Sequence, residues 1–217
     1  MPSENAPSSI GNHMMALQLR KTSATINIMT FDPKIYKTIV FVRHGQYEKD
    51  PERLTSLGKA QAHLASQVVR DLKPHRLYSS TMPRAIETAS YIEKQCQMKA
   101  IKRDMFREGI LPGLEAVTKT DKAARETMKK NQIHADKAFD FLFKAPRSGA
   151  TTHVVVAHGN VIRYWVCKAL GIDHKKWVKM DLQQGSLTTV RVDKEGNAVL
   201  LGFADIGHVP LEQRTYI

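Results

Sequence analysis

Four basic side chains follow short apolar runs that are typical of buried β-strands. Arg43 and His44 come directly after the run at 39–42. His158 follows a second run of this kind, and Arg84 comes shortly after a third. In a parallel sheet the carboxyl ends of the strands share one edge, and ligands bind there. We therefore expect these four side chains to converge on a single site.

Two arginines and two histidines at one edge form an anion pocket rather than a metal site. Metal ligation calls for closely spaced histidines or an accompanying set of carboxylates, and the sequence shows neither around these residues. A phosphoryl group suits such a pocket, because a planar guanidinium can bind two of its oxygens at once. His44 can attack phosphorus as a neutral imidazole. Arg43, Arg84 and His158 would then stabilise the charge of the transferred group.

The proton that the leaving group needs is assigned to Glu108, in the stretch "FREGILPG". Glu108 follows a short predicted strand and precedes a loop with Gly and Pro. To act as an acid it must be protonated near neutral pH, so its pocket has to raise its pKa. The same carboxylate could then activate water to hydrolyse the phosphohistidine. Each residue alone could be an ordinary polar residue, and the hypothesis depends on the combination.

The elements that must hold these residues alternate between strands and helices. Strands are predicted at 38–42, 76–80, 99–104, 152–158, 186–192 and 198–204. Helices are predicted at about 56–72, 83–95, 121–144 and 159–170, with Thr55 as the first N-cap and Pro83 in the first turn of the second helix. The alternation predicts an α/β fold, a three-layer α/β/α sandwich around a mostly parallel sheet.

Other parts of the chain carry weaker signals. Residues 1–30 begin with a stretch rich in Ser, Asn, Pro and Gly, which predicts a disordered tail or a weak targeting leader, and 31–217 are predicted to form one domain. Residues 46–53 are predicted as a loop. In the helix at 121–144, Ala138, Phe141 and Leu142 are expected to face inward.

Composition narrows the class of partner. The formal charge is +12, from 33 Lys+Arg against 21 Asp+Glu, which favours an anionic partner such as a phosphorylated protein or a small phosphoester. The basic residues are spread along the chain without a nucleic-acid-reading motif, so no nucleic-acid partner is predicted. No run of 18 apolar residues indicates a transmembrane span, and no Cys-x-x-Cys pair indicates a zinc ribbon. The compartment, cytoplasmic or mitochondrial, and a homo-oligomeric state are left open.

The motifs together resemble the histidine phosphatase superfamily, in its phosphoglycerate-mutase-like branch. The matching pieces are "VRHGQ", "LYSSTMPRAIETA", "FREG" and "VVAHGNVIRYWVCKALG", in the family's order, and the resemblance covers roughly residues 36–210. Within the family the chain looks most similar to mitochondrial serine/threonine protein phosphatases. The resemblance implies that His44 is the phosphorylated nucleophile and Glu108 the proton donor, with Arg43, Arg84 and His158 completing the phosphate pocket. It also implies that neither a metal nor another cofactor is needed.

Three functions remain open at this stage. The leading prediction is a metal-independent phosphatase acting on phosphoserine or phosphothreonine in proteins. The alternatives are a phosphoglycerate mutase or small-metabolite phosphomonoesterase, and a non-catalytic phosphoprotein-binding scaffold with the same fold. Only residues 109–157 separate Glu108 from His158, and a helix is predicted to fill much of that segment. A segment this short can cover little of the pocket, which favours an open site. In an open site, water can hydrolyse the phosphohistidine, whereas a mutase transfers the phosphoryl group within an enclosed site.

Overall fold

The strands explain how distant parts of the chain reach one edge of a sheet. The computed structural model describes residues 34–216, so the tail predicted at 1–30 lies outside the described residues. The strands are β1 (Tyr36–Arg43), β2 (Tyr47–Lys49), β3 (Glu52–Leu54), β4 (Arg76–Ser80), β5 (Ile101–Arg103), β6 (Ala150–Ala157), β7 (Leu187–Asp193) and β8 (Ala198–Asp205). Six of them form one sheet in the order β5-β4-β6-β1-β7-β8, whereas β2 and β3 form a separate hairpin.

The pairing of the sheet is mostly parallel, as predicted. β1 runs parallel to β6, β6 to β4, and β4 to β5. β7 is antiparallel to β1 and to β8. The three strands that precede the predicted site residues, β1, β4 and β6, are therefore parallel neighbours, and their carboxyl ends lie at the same edge.

Four helices begin and end close to the predicted residues, whereas a short helix at Glu115–Thr118 was not predicted. They are α1 (Ser56–Asp71), α2 (Pro83–Cys96), α3 (Glu115–Thr118), α4 (Lys122–Phe143) and α5 (Gly159–Ala169), with short 3-10 turns at Asp104–Phe106, His174–Lys179 and Leu211–Gln213. Thr55 caps α1, because its side-chain oxygen accepts a hydrogen bond from the Gly58 N–H at 3.0 Å. Pro83 opens α2, where its missing N–H leaves no helical hydrogen bond unmade.

The two faces of β1 show the three-layer packing. Val40 and Val42 lie in one apolar cluster with residues of α1 and α2. Ile39 and Phe41 lie in a second cluster with residues of α4 and α5, and the Phe41 ring is 5.4 Å from that of Trp165. All four β1 side chains are fully buried, and each such burial contributes about 1.5–3 kcal/mol to stability. The predicted α/β/α sandwich is confirmed.

Two predictions about local structure were wrong. Residues 46–53 are not a plain loop, since β2 and β3 pair through Tyr47 opposite Leu54 and Lys49 opposite Glu52. Phe141 does not face fully inward. It is 42% exposed, although its ring packs on that of Tyr78 with the two planes nearly perpendicular. None of the helices within residues 34–216 has the length and apolar character of a transmembrane span.

Candidate active site

The ends of β1 and β6 bring the two predicted histidines together. Arg43 lies opposite Ala157 in the parallel register, and the His44 N–H donates to the Ala157 carbonyl at 3.1 Å. The imidazole rings of His44 and His158 are 5.0 Å apart. The four basic residues predicted for the site are all buried: Arg43 (6% exposed), His44 (2%), Arg84 (4%) and His158 (0%).

The His44 side chain has a defined proton and a defined lone pair. Nδ1 lies 2.8 Å from the Gly45 carbonyl oxygen, which can only accept, so Nδ1 carries the proton. Nε2 therefore holds the lone pair, and it accepts from Arg84 Nε at 3.1 Å. Burial lowers the pKa of His44 well below its usual range. The hydrogen bond to Gly45 opposes this shift, and the charges of Arg84 and Arg43 add to it. The imidazole is neutral at pH 7, which is the state a nucleophile requires.

Arg84 reaches the site from the first turn of α2. Its Nε–H is bonded to His44 Nε2, and its Nη1 forms an ion pair with Glu52 Oε1 at 2.9 Å. The guanidinium also lies over the Tyr47 ring, with Cζ 4.5 Å from the ring centroid. These contacts fix a planar cation directly beside the lone pair of His44.

His158 meets a hydroxyl group where His44 meets a carbonyl. Its Nε2 lies 2.8 Å from Ser80 Oγ, at the end of β4. Ser80 Oγ accepts from the Met82 N–H at 3.2 Å, and among the contacts of the described residues the hydroxyl proton has no acceptor other than His158 Nε2, so the hydroxyl donates to that nitrogen. The His158 proton then lies on Nδ1. Burial lowers the pKa of His158 well below its usual range, and the nearby His44, Arg84 and Arg43 lower it further.

Arg43 is held by backbone groups. Its Nη1 donates to the Leu182 carbonyl, and the guanidinium packs so closely on the start of α5 that a Cβ at Gly159 would lie 3.3 Å from Arg43 Cζ. Burial lowers the pKa of Arg43 to about 10, a value that still leaves it charged at pH 7. Within the described chain, Arg43 Nε and His158 Nδ1 are buried atoms without a hydrogen-bond partner. Both can donate to an anion.

Glu108 lies at the start of α5, next to these cations. Its Oε2 accepts from the Asn160 N–H and its Oε1 from the Gly109 N–H, each at 3.2 Å. Burial raises the pKa of Glu108 above its usual value, although the two hydrogen bonds and the charge of Arg43 oppose the shift. The structure therefore brings all five residues predicted for the site into one cluster, and it gives Glu108 the direction of pKa shift that an acid needs.

The hairpin of β2 and β3 adds residues whose contacts the sequence did not reveal. Tyr47 places its ring edge-on to His44, with centroids 5.2 Å apart, as well as beneath Arg84. Glu52 supplies the carboxylate for Arg84. The Asp50-Pro51 dipeptide between the two short strands was the available signal for a turn. Nothing in the sequence indicated that Glu52 pairs with a residue 32 positions away.

Backbone contact, rather than side-chain chemistry, explains the glycine that follows His44. A Cβ at Gly45 would overlap the backbone of Gly58 in α1, and one at Gly58 would overlap the backbone of Gln46. The Gly45 N–H donates to Thr88 Oγ1 at 3.1 Å. This close approach packs the start of α1 against the segment that holds His44. Over residues 34–216, no group of three or more His, Cys, Asp or Glu side chains is arranged to hold a metal ion.

A buried pair of imidazoles flanked by two guanidinium groups and an acid is the set of groups expected of a phosphoryl-transfer site. The family model of the histidine phosphatase superfamily, branch 1, matches residues 39–204. The chain belongs to this superfamily. Together with its phosphatase relatives, this makes the chain a phosphatase, a hydrolase of phosphate monoesters, as the motifs predicted. A phosphohistidine intermediate is general to the family.

Curated relatives include mitochondrial serine/threonine-protein phosphatases named PGAM5. The chain is 33% identical to the protein of Xenopus tropicalis over 200 residues, which cover 83% of this chain and 69% of the relative. It is 32% identical to the protein of Mus musculus, with 85% of this chain and 68% of the relative covered. For the protein of Caenorhabditis elegans the identity is 31%, with 80% and 64% covered. The chain thus spans about two thirds of the length of these relatives.

Solved structures agree on the fold. A phosphoglycerate mutase from Plasmodium falciparum is 29% identical, with a TM-score of 0.59 over 84% of this chain and 99% of that one. A mycobacterial glucosyl-3-phosphoglycerate phosphatase gives a TM-score of 0.62 at 19% identity, over 78% and 99% of the two chains. The similarity to the mycobacterial phosphatase shows that the two chains share a fold, and nothing more.

Proposed function

We propose that this phosphatase removes phosphate from serine or threonine side chains of phosphorylated proteins, through a phosphohistidine formed at His44. The buried cluster of His44, His158, Arg43 and Arg84 carries the proposal, since it joins a neutral nucleophile to cations and to two unpartnered donor atoms. An anion's oxygens would satisfy those donors. The choice of protein substrates is supported by the relatives, whose names describe serine/threonine-protein phosphatases.

The first step transfers the phosphoryl group to the enzyme. His44 Nε2 attacks phosphorus, and the N–P bond forms as the P–O bond to the seryl or threonyl oxygen breaks. Arg84 turns its Nε–H from the lone pair of His44 to a phosphoryl oxygen. Arg43 Nε and His158 Nδ1 donate to the remaining oxygens. Glu108, in its acid form, gives its proton to the leaving oxygen.

The second step releases phosphate. Water attacks phosphorus while the Glu108 carboxylate takes a proton from it. The electron pair of the N–P bond returns to His44 Nε2, and inorganic phosphate leaves. One water is consumed, and the enzyme is restored with neutral His44 and protonated Glu108.

A cavity lies beside the acid. It has a volume of about 340 Å³, and Glu108, Arg107, Asn131 and His134 are among the residues that line it. Glu108 is the one member of the cluster among the residues that line this cavity, so we assign the space to solvent and to parts of the substrate beyond the leaving oxygen.

The test compares phosphoserine and phosphothreonine peptides with 3-phosphoglycerate and sugar phosphates, in the presence of a chelator. We expect the highest kcat/KM on the peptides, with no turnover in His44→Ala. Full activity of His44→Ala would show that the nucleophile is assigned wrongly. A higher kcat/KM on a small metabolite would show that the substrate class is wrong.

Phosphoglycerate mutation is the second candidate, because the Plasmodium falciparum mutase matches nearly its whole length at 29% identity. Incubation with 3-phosphoglycerate and a 2,3-bisphosphoglycerate primer distinguishes the two. Release of inorganic phosphate alone agrees with the phosphatase, whereas efficient formation of 2-phosphoglycerate would identify a mutase. Binding of phosphopeptide without turnover of any substrate would identify the non-catalytic scaffold.

The relatives' names also supply a compartment. They describe mitochondrial proteins, and we extend this compartment to the present chain. Fractionation of cells that express the full chain with a carboxyl-terminal tag tests it. We expect the tag in the mitochondrial fraction, and recovery in the cytosol alone would contradict the assignment.

A further inference from the structure

A second concave site lies at the amino edge of the same sheet. Its cavity has a volume of about 330 Å³ and lies between the starts of β1 and β6 and the segment that follows α4. Lys37, on β1, lines it and precedes Arg43 by six positions. At about 3.3 Å per residue this separation is roughly 20 Å. None of the five residues of the phosphoryl-transfer site lines this cavity.

The charged side chains that line the amino-edge cavity all have one sign. They are Lys37, Lys144 and Arg147, and no Asp or Glu lines the cavity. Lys37 is 6% exposed, and among the described residues its ammonium donates one hydrogen bond, to the Lys144 carbonyl at 2.6 Å. An ammonium carries three donors, so two remain for a ligand. Arg147 lies exposed on the rim, where its guanidinium can turn toward an anion.

The pKa values in this region reflect burial first and the concentration of positive charge second. Burial, and then the charge of Lys144, lowers the pKa of Lys37 to about 8. Burial lowers the pKa of His153 to about 4, and the charges of Lys37, Arg76 and His75 contribute to the shift. His153 is therefore neutral at pH 7. An anion in the cavity would relieve the repulsion between these cations.

The remaining lining is largely apolar and partly aromatic. Phe141 meets the Tyr78 ring edge-on, with centroids 5.5 Å apart, and is 42% exposed. Leu142, Ala145 and Pro146 complete this part of the wall. An apolar wall beside a few convergent charges is the usual composition of a small-molecule site, and the volume lies within the usual range of about 300–1,000 Å³.

We propose that the amino-edge cavity binds a small organic anion with an apolar body. The anionic head group pairs with the Lys37 ammonium and the Arg147 guanidinium, and the body packs on Phe141 and Leu142. Carboxylates and phosphonates share the required head-group chemistry. The site is independent of the proposed function, because none of its residues belongs to the phosphoryl-transfer cluster.

The test uses the full chain and a fluorescent probe, 8-anilinonaphthalene-1-sulfonate, which joins an anionic head to aromatic rings. Decanoate and decylphosphonate are added as competitors, with decanol as the neutral analogue. Arg147→Glu reverses a charge on the cavity. Lys99→Glu is the matched control, since Lys99 is 92% exposed by side chain and lies in a different surface depression of similar volume. Hydrolysis of p-nitrophenyl phosphate reports whether each variant is folded.

We expect Arg147→Glu to weaken binding of the probe by about tenfold, the effect of losing one charge-assisted contact. Lys99→Glu should change it less than twofold. Either anionic competitor should displace the probe far better than decanol does, and the comparison of the two identifies the preferred head group. Equal weakening by both variants would show that the probe senses only net charge. Displacement by decanol as effective as by the anions would show that no anion site exists. Either result overturns the proposal.

Discussion

The ends of β1 and β6 lie side by side, and each is followed by a buried histidine. The two histidines differ in their hydrogen-bond partners and therefore in which ring nitrogen carries the proton. Both strands end in buried backbone at one edge of the sheet, with Arg43 opposite Ala157. His44 donates from Nδ1 to the carbonyl of Gly45, so its lone pair lies on Nε2. His158 receives the Ser80 hydroxyl at Nε2, so its proton lies on Nδ1.

The difference shows that the hydrogen-bond partner, rather than the position on the sheet, selects the role of each imidazole. A carbonyl oxygen can only accept, and it therefore fixes a proton on the nitrogen that faces it. A hydroxyl group whose oxygen already accepts can donate its own proton. In the proposed mechanism, one histidine is thereby prepared to attack phosphorus, and the other to donate to a phosphoryl oxygen.

The largest effect on activity is expected from removing the imidazole that follows β1. His44→Ala removes the lone pair that attacks phosphorus, and kcat should fall by at least about 10⁴-fold. Rapid acid-free quenching with labelled substrate should detect no phosphohistidine in the variant. The urea midpoint serves as a control for folding. Formation of labelled enzyme by the variant would place the nucleophile elsewhere.

Removal of the acid, Glu108, should have the next largest effect on turnover. Glu108→Gln cannot protonate the leaving oxygen, so turnover of a phosphoserine peptide should fall by about 10²–10⁴-fold. p-Nitrophenyl phosphate has a leaving group that needs no proton, and its turnover should fall much less. Equal losses on the two substrates would argue against proton donation by Glu108.

Removal of the imidazole that follows β6 should lower kcat less than removal of the one that follows β1. His158→Ala removes one donor to the transferred group, which corresponds to a loss of about 10²–10³-fold in kcat. Labelled phosphohistidine should still accumulate, because His44 is intact. Absence of the labelled species under single-turnover conditions would make His158 part of the nucleophile rather than a donor.

The two buried imidazoles should also make stability depend on pH. The pKa of each is lowered in the folded state, so the unfolded chain binds more protons below about pH 6.5, the ordinary histidine value. The free energy of unfolding should therefore fall as the pH drops from 7 to 5, by up to about 1.4 kcal/mol per pH unit for each histidine. Urea midpoints at several pH values measure this slope. His158→Ala should have the shallower slope, and an unchanged slope would show that another group is responsible.

The smallest effect concerns the cation that contacts the β1 histidine. Glu52→Gln keeps a hydrogen-bond acceptor for Arg84 but removes a carboxylate that competes with phosphate. The KM for a phosphopeptide should fall by up to about fivefold, the usual range for a partly exposed ion pair. Glu52→Ala leaves Arg84 Nη1 without this acceptor and should raise KM. A change of KM in the same direction for both variants would show that KM responds only to the loss of the negative charge, and not to the hydrogen bond between Glu52 and Arg84.

Local patterns were sufficient for most of the fold. The apolar runs before His44 and His158 predicted β1 and β6, and Thr55 and Pro83 marked the starts of α1 and α2. These features depend on neighbouring residues in the chain, which periodicity and capping preferences describe directly. Four of the five candidate site residues followed from the predicted strands at 38–42, 76–80 and 152–158, since parallel strands share one edge. Glu108 followed from its place between a further short predicted strand and a loop with Gly and Pro.

The tertiary structure alone decided which groups meet across long sequence separations. The ion pair of Glu52 with Arg84, the contact of Ser80 with His158, and the overlap that excludes a Cβ at Gly45 all join segments far apart in the chain. Such contacts depend on how helices and loops pack on the sheet, which no local pattern encodes. For the same reason, the residue types and spacing in the sequence were enough to predict an anion site, whereas packing decided which nitrogen of each imidazole carries the proton.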